Sequence, residues 1–172
     1  GLHSFKSIAA NGNATMTLVI SPQDTQDDWL ELWYGGAARL TFQITSPDGT
    51  ALSSPVVPAT GGGTTTTQTL QGASVRVHSS LEQSASSRHR IDVRISPPAG
   101  GSIQHGEWVM RLEETAGQAV EVYAWIDLDK KDPHPRFTNA DQDRTRTLTT
   151  PGTAKNVVTV ASYNYRDSSL AR

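Results

Sequence analysis

Apolar and polar residues alternate with a period of two up to about residue 126 of the chain. The inward members of this pattern are Met16, Leu18, Ile20; Leu30, Leu32, Tyr34; Leu40, Phe42, Ile44; Val75, Val77; Ile91, Val93, Ile95; Trp108, Met110, Leu112; and Val120, Val122, Ala124, Ile126. A period of two is the repeat of a β-strand, because successive side chains point to opposite faces of a sheet. No long helical period competes with it. The pattern predicts an all-β fold, an antiparallel β-sandwich.

Turn-forming residues predict where the chain reverses between these strands. Residues 46–49 (Ser-Pro-Asp-Gly) and 96–100 (Ser-Pro-Pro-Ala-Gly) each end a strand, because Pro presets φ and Gly tolerates positive φ. Residues 116–117 (Ala-Gly) predict a hairpin-like connection between the last two strands, and residues 9–13 predict a turn before the first strand. The Gly- and Thr-rich residues 61–67 predict a loop that runs into an edge strand.

The composition changes after the last alternating run. Residues 129–146 are polar and contain Pro and Asn but no periodicity, which predicts a linker or loop. Beyond them, Val157, Val158 and Val160 form an apolar run that is too continuous for a half-exposed strand and suits burial on both faces. We therefore divide the chain into a β-sandwich (1–128), a polar linker (129–146) and a C-terminal segment (147–172).

Composition and charge exclude several classes of function. The 172 residues include no Cys, which rules out a disulfide framework, a thiolate zinc site and a Cys nucleophile. Fifteen basic and seventeen acidic residues give a net charge of −2, so nucleic acid is not an expected partner. Nowhere do eighteen apolar residues run together, so no membrane span is expected either.

Residues 147–164 read Thr-Leu-Thr-Thr-Pro-Gly-Thr-Ala-Lys-Asn-Val-Val-Thr-Val-Ala-Ser-Tyr-Asn. This run resembles a loop and buried strand in the catalytic α/β body of subtilisin-like serine peptidases, where it follows the oxyanion-hole Asn and precedes the nucleophilic Ser. Four upstream stretches resemble the β-sandwich insert of some bacterial subtilases: residues 31–34, 106–112, 124–127 and the strand that ends in Ser-Pro-Asp-Gly at residues 46–49. The Gly-x-Trp strand in the second of them is similar to the jelly-roll P domains of proprotein convertases.

This resemblance implies a jelly-roll-like insert domain plus a short stretch of the catalytic body. The implied partners are the catalytic domain of the parent protease and, in addition, a protein substrate. The implied location is secreted or on the bacterial cell surface. The family's catalytic Asp and His motifs and its Gly-Thr-Ser-Met-Ala motif are absent from this sequence, so no catalytic residue carries over. Residues 9–13 (Ala-Ala-Asn-Gly-Asn) differ in order from the oxyanion-hole motif.

Histidines and serines do not suggest a catalytic site of this chain's own. No Ser lies in a Gly-x-Ser-x-Gly elbow, and the histidines lie beside turn residues or in polar runs. We predict surface histidines without a catalytic role, and no cofactor; they are His3, His78, His89, His105 and His134. 

Acidic residues near the predicted linker raise the alternative of a calcium site. Asp127, Asp129 and Asp132, with Asp141 and Asp143 further along, supply the hard oxygen ligands that calcium prefers. The EF-hand spacing and its distal Glu are absent. We favour a solvated acidic loop without a metal and leave calcium open as the alternative.

Four large aromatic residues fall on the opposite side of their strands from the predicted core. Pleating sends Trp29, Trp33, Tyr123 and Trp125 outward when their apolar neighbours face inward. Exposed aromatic clusters are typical of interaction surfaces. They suit a face packed against the catalytic body or another subunit, a stacking platform for sugar rings, or a layer covered by loops of the same domain.

Two hypotheses from different classes follow. The first is a non-catalytic β-sandwich domain of a subtilisin-like serine endopeptidase, which modulates substrate access, partner contact or stability of the parent enzyme. The alternative is a free-standing carbohydrate-binding or adhesive β-sandwich module.

Overall fold

The computed structural model describes residues 2–52, 63–82, 88–127 and 134–143. The strands of this part are β1 (His3–Ile8), β2 (Asn13–Ile20), β3 (Asp28–Tyr34), β4 (Leu40–Thr45), β5 (Gly63–Leu70), β6 (Ala73–Glu82), β7 (Arg88–Ser96), β8 (Gly106–Glu114), β9 (Val120–Ile126) and β10 (Arg136–Phe137). Six form one sheet in the order β1-β9-β3-β7-β6-β5, and four form a second in the order β10-β2-β8-β4. The predicted all-β antiparallel sandwich is confirmed.

One apolar core fills the space between the two sheets. Every apolar residue that the alternation assigned to the inside is buried, and Trp108 of β8 is the largest fully buried side chain. Its indole Nε1 donates a hydrogen bond to the Gln104 carbonyl oxygen at 2.9 Å, so the ring's one polar atom is satisfied. The structure therefore places the sandwich interior where the period of two predicted it.

Two strands were not predicted, and one predicted connection is wrong. β1 escapes the pattern because its alternate positions Ser4 and Lys6 are polar, and β10 is too short to show a period. The predicted hairpin around residues 116–117 does not form, since β8 lies in the four-stranded sheet and β9 in the six-stranded sheet. That segment crosses from one sheet to the other. Alternation identifies strands but carries no information on which strands pair.

The turns at Ser46 and Pro98 form as predicted. Gly49 has a φ of 88° and its N–H donates to the Ser46 carbonyl at 2.9 Å, while Gly101 donates to the Pro98 carbonyl at 2.9 Å. Asp48 accepts the Thr50 N–H at 2.8 Å, and this bond lowers the pKa of the Asp48 carboxyl. The predicted edge strand is also present, since β5 lies at the edge of the six-stranded sheet.

Residues 134–143, which fall inside the predicted linker, are attached to the sandwich. Phe137 of β10 is buried and lies opposite Leu18 of β2. Asp141 accepts hydrogen bonds from Lys6 Nζ at 2.6 Å, the Thr17 N–H at 2.8 Å and Thr138 Oγ1 at 2.9 Å. The domain boundaries stay a prediction, and the segment 147–172 lies outside the described residues. Within the described ranges, no helix is long and apolar enough to cross a membrane.

A buried carboxylate gathers three loops at one end of the sandwich. Glu114 accepts backbone N–H groups from Asn11 at 3.1 Å, Arg39 at 3.3 Å, Ala116 at 2.8 Å and Gln118 at 3.0 Å. Burial raises the pKa of this carboxyl, but the four N–H groups together outweigh burial and lower it to about 2. The connections β1–β2, β3–β4 and β8–β9 are therefore held together by one ionised side chain.

Candidate functional site on the outer face of the six-stranded sheet

The side of the six-stranded sheet that points away from the core has two different halves. On β1, β9 and β3 the outward positions carry mostly rings: His3, Phe5, Tyr123, Trp125, Trp29 and Trp33. On β7 and β6 they carry mostly charged side chains, Arg90, Asp92, Arg94 and Arg76, with His78 among them. We call the first group the aromatic half and the second the charged half.

All four aromatic residues predicted from the sequence lie in the aromatic half. Trp33 is directly opposite Tyr123, and Trp125 lies one position along the same strand face as Tyr123. Trp29 is 40% exposed, and the other three are half-buried. The structure thus brings Trp33, Tyr123 and Trp125 together, while Trp29 lies beyond Glu31 on β3. Their role as an interaction surface stays a prediction.

Two further rings of the aromatic half, His3 and Phe5, were not predicted from the sequence. His3 stacks on Trp125 with ring centroids 4.8 Å apart, and Phe5 lies 5.2 Å from Tyr123. Tyr123 and Trp125 are themselves stacked at 5.9 Å. Both missed residues belong to β1, whose polar alternate positions hid the strand. The one signal that pointed to them was the spacing of His3 and Phe5, two residues apart like the other outward pairs.

Arginines of the charged half lie over the two tryptophans of β3. The Arg90 guanidinium carbon is 5.5 Å from the Trp33 ring centroid, and that of Arg94 is 4.9 Å from the Trp29 ring centroid. Carboxylates hold both arginines: Arg94 Nε donates to Asp27 Oδ2 at 2.9 Å, and Arg90 Nε lies 3.0 Å from Asp92 Oδ2. Such cation–π contacts contribute roughly 0.5–1 kcal/mol at exposed sites. These two contacts favour the observed orientations of the Trp33 and Trp29 rings.

Acidic side chains orient two of the rings from within the aromatic half. Trp33 Nε1 donates to Glu31 Oε2 at 3.2 Å, and the Tyr123 hydroxyl donates to Glu121 Oε2 at 2.6 Å. Each of these carboxylates lies two residues from its ring on the same strand face. Trp33 and Tyr123 are therefore oriented by hydrogen bonds within the domain itself.

Two shallow grooves mark this face. One of about 340 Å³ lies at the end of β3 and the start of β9, lined by Trp33, Tyr123, Arg88, Glu121, Gly35 and Ala119. The other, of about 230 Å³, crosses the charged half between Trp29 and Arg76. In the second groove burial raises the pKa of Asp92, and the neighbouring Arg90 partly opposes that rise. The first groove combines ring faces with hydrogen-bonding groups, as binding sites for small polar molecules do.

The prediction that all five histidines lie on the surface is wrong for two of them. His3 is 2% exposed and His89 is 1% exposed. His3 is covered because it stacks within the aromatic half, and His89 because it faces the interior beside Tyr34. His78 is half-buried with its Nδ1 2.8 Å from Thr65 Oγ1, while His105 is exposed and His134 half-buried.

The described acidic residues among those considered for calcium do not form a ligand group. Asp127 is exposed, Asp141 is engaged by Lys6, and Asp143 Oδ2 lies 3.5 Å from His3 Nδ1. Asp129 and Asp132 lie outside the described residues. Across the described ranges, no group of three or more His, Cys, Asp or Glu side chains is arranged to hold a metal ion.

Comparison with known proteins places the fold but not a family. No family model matches the sequence, and no curated protein matches it. Among solved structures, the chain is similar to the CspB protease of Clostridium perfringens, with a TM-score of 0.75 and 18% identity over 94% of this chain. The match covers 32% of that protease, so this chain spans about a third of its length. The chain therefore has a fold that also occurs within a larger protease.

Proposed function

We propose that this chain is a non-catalytic β-sandwich domain of a subtilisin-like serine endopeptidase, and that it contacts the catalytic domain through the aromatic half of its six-stranded sheet. The observation that carries the proposal is the agreement of the fold with about a third of a protease chain. The resemblance of residues 147–164 to a segment of the subtilase catalytic body points independently to the same class of enzyme.

The chemistry of the aromatic half suits a protein interface. Large rings provide apolar area at a small cost in side-chain entropy, and Trp, Tyr and Arg are enriched among residues that dominate binding energies. Here Trp33, Tyr123 and Trp125 lie together, with Arg90 over one ring. A catalytic domain packed on this face would bury area that water now reaches. In that position the sandwich would modulate substrate access, partner contact or the stability of the enzyme.

Under this proposal the chemistry belongs to the parent enzyme, not to this chain. In the family, Ser attacks the peptide carbonyl, His accepts its proton, Asp orients the His and Asn stabilises the oxyanion. None of the corresponding motifs occurs in this sequence. The proposal also implies an enzyme that works outside the bacterial cell or on its surface, where protein substrates are met.

The isolated chain should not hydrolyse casein or a fluorogenic peptide. The physical reason is that a triad requires Ser, His and Asp in hydrogen-bonding geometry on a rigid scaffold, and the family's motifs for these residues are missing. The measurement is turnover with and without a serine-directed covalent inhibitor. Turnover that the inhibitor abolishes would contradict the proposal, and the full-length enzyme from the same reading frame serves as the positive control.

The groove beside Trp33 favours a second candidate, a carbohydrate-binding module. Adjacent ring faces of Trp33 and Tyr123, with Arg88 and Glu121 to bond hydroxyl groups, resemble the chemistry of a sugar site. This candidate predicts retention on polysaccharide affinity gels. The first candidate predicts instead a complex between this chain and the catalytic domain of its own enzyme.

Trp33→Ala distinguishes the two candidates. Loss of a central ring should weaken the true interaction by about thirtyfold or more, because such anchors contribute roughly 2 kcal/mol or more. Affinity should be measured by calorimetry against the catalytic domain and by gel retardation against polysaccharides. Thr67→Ala is the matched control, since Thr67 is exposed on the same sheet face in the distant strand β5. Unchanged binding to the catalytic domain in the Trp33 variant, or retention on the gels alone, would count against the first candidate.

A further inference from the structure

One buried histidine has a geometry that depends on its protonation state. His89 is 1% exposed, stacks on Tyr34 with ring centroids 4.7 Å apart, and has its Nε2 3.1 Å from Arg39 Nη1. An arginine guanidinium can only donate hydrogen bonds, so Nε2 of His89 must be the acceptor. The imidazole is therefore neutral in this structure, with its proton on Nδ1. Among the described residues, that Nδ1 has no hydrogen-bond partner.

A second proton on this ring would reverse the interaction. Nε2 would become a donor facing another donor, and two positive charges would lie about 3.1 Å apart at a partly buried contact. Among the described residues, the titratable and charged groups next to His89 are Tyr34 from β3 and Arg39 from the β3–β4 connection. The backbone N–H of Arg39 in turn donates to Glu114 of β8. Opposite His89 on β6 lies Leu81, which offers no charge. The Tyr34 hydroxyl does not compensate, since burial raises its pKa to about 12.

The same arginine connects the histidine to the end of the sandwich. Arg39 Nη1 also donates to the carbonyl oxygens of Ala37 at 3.3 Å and Ala38 at 3.0 Å. The Arg39 carbonyl accepts the Thr115 N–H at 2.9 Å, and its own N–H donates to Glu114. Residues 35–39 and 115–119 both contribute to the walls of the 340 Å³ groove through Gly35 and Ala119. Movement of Arg39 would therefore be transmitted to that groove.

We propose that the His89–Arg39 contact is an acid-sensitive latch, which acts together with Glu114 to hold the β3–β4 and β8–β9 connections in place at neutral pH and loosens them when His89 takes up a second proton. This device would open one end of the groove beside Trp33 in acid. It does not depend on the proposed function, because it requires only the described contacts.

The sign of the effect follows from linkage. Burial, with Arg39 as a second cause, lowers the pKa of His89 below its ordinary value of 6.5. The released state, with an ordinary imidazole, binds the proton more tightly than the latched state, so acid favours release. In the released state His89 has an ordinary pKa of about 6.5, so at pH 5 its protonated form outnumbers the neutral form by about thirtyfold. This ratio is the largest factor by which acid can shift the equilibrium toward the released state. Glu114 is not the cause at this pH, because its pKa is about 2.

Hydrogen exchange of single amides tests the latch. Protection of the Arg39 and Thr115 amides, corrected for intrinsic exchange, should fall by up to about thirtyfold between pH 7.5 and pH 5. The amide of Met110, in the central strand β8, should change far less. His89→Gln should remove this pH dependence, since a Gln amide oxygen accepts from Arg39 but does not titrate. His105→Gln, at an exposed position, should leave the response as it is in the unaltered chain.

A direct titration keeps the proposal testable even if the His89 variant does not fold. The pKa of His89, followed by NMR in the unaltered chain, should lie below 6.5. A pKa at or above 6.5 would overturn the latch, as would equal protection of Arg39 and Thr115 at both pH values. A pH response that persists in folded His89→Gln would assign it to another group and equally overturn the proposal.

Discussion

Replacing Trp108 by alanine should lower the free energy of unfolding by about 3–5 kcal/mol, the range for a large aromatic residue in a core. Trp108 is fully buried in β8, between the strands that carry Met16 and Ile44. The substitution would leave a cavity, remove apolar contacts from both sheets and deprive the Gln104 carbonyl of its partner. Denaturant unfolding, followed by circular dichroism, measures the change.

Trp29→Ala is the matched control for this prediction. The same atoms are removed, but Trp29 is 40% exposed and its main contact is the Arg94 guanidinium. We expect a loss of about 1 kcal/mol or less. Similar losses in the two variants would contradict the assignment of Trp108 to the centre of the core.

The second large effect is expected for Glu114→Gln. An amide in place of the carboxylate removes the charge that four backbone N–H groups share, and two of these N–H groups then face an NH2 donor instead of an acceptor oxygen. Glu114 has a lower pKa in the folded chain, about 2, than its ordinary value of 4.5. Its ionised form therefore stabilises the fold above about pH 4.5, and this contribution is lost as the pH falls towards 2. Thermal unfolding should show a melting temperature several degrees lower in the variant at pH 7.

The pH dependence separates this role from a general effect of the substitution. The difference between Glu114→Gln and the unaltered chain should be largest near pH 7 and should shrink steadily below pH 4.5. Glu113→Gln is the control. The Glu113 side chain is adjacent in sequence but 54% exposed, and its carboxylate lies 3.9 Å from the Arg111 guanidinium. A gap that stays constant from pH 7 to pH 3 would refute the explanation based on the ionised carboxylate.

The outer face of the six-stranded sheet carries an ordered group of aromatic rings. Its rings are oriented by Glu31, Glu121 and two arginines, and none of these contacts includes a nucleophile activated by a base. His89 faces the interior, but its chain neighbour Arg88 and its stacking partner Tyr34 line the groove, so the proposed latch would let pH act on the surface that the proposed function uses.

The candidate site could be predicted in part from the sequence, because strand pleating fixes the direction of a side chain from its immediate neighbours alone. Once Leu30, Leu32 and Tyr34 are assigned to the core, Trp29 and Trp33 must point the other way. The same argument does not show that Trp33 lies beside Tyr123, since these residues are 90 positions apart and meet only when β3 pairs with β9. His3 and Phe5 also belong to the site, but their strand β1 was not predicted because its inward positions Ser4 and Lys6 are polar.

Buried polar groups were the feature hardest to predict from the sequence. Glu114 follows Glu113 and reads as a second surface acid, yet it is 2% exposed because four N–H groups from three connections converge on it. His89 stands between two arginines in the sequence, but it faces the interior while Arg88 and Arg90 face outward. Their environments are made by residues distant in the chain.

The amino-acid sequence alone predicts the class of fold, the strands with regular alternation and the side of each strand that meets the core. These features depend on the spacing of neighbouring residues. Tertiary structure decided which strands pair, which sheet each joins, and how Glu114 and His89 are enclosed. Those outcomes depend on hydrogen bonds and packing between segments far apart in the chain, and local periodicity does not encode them.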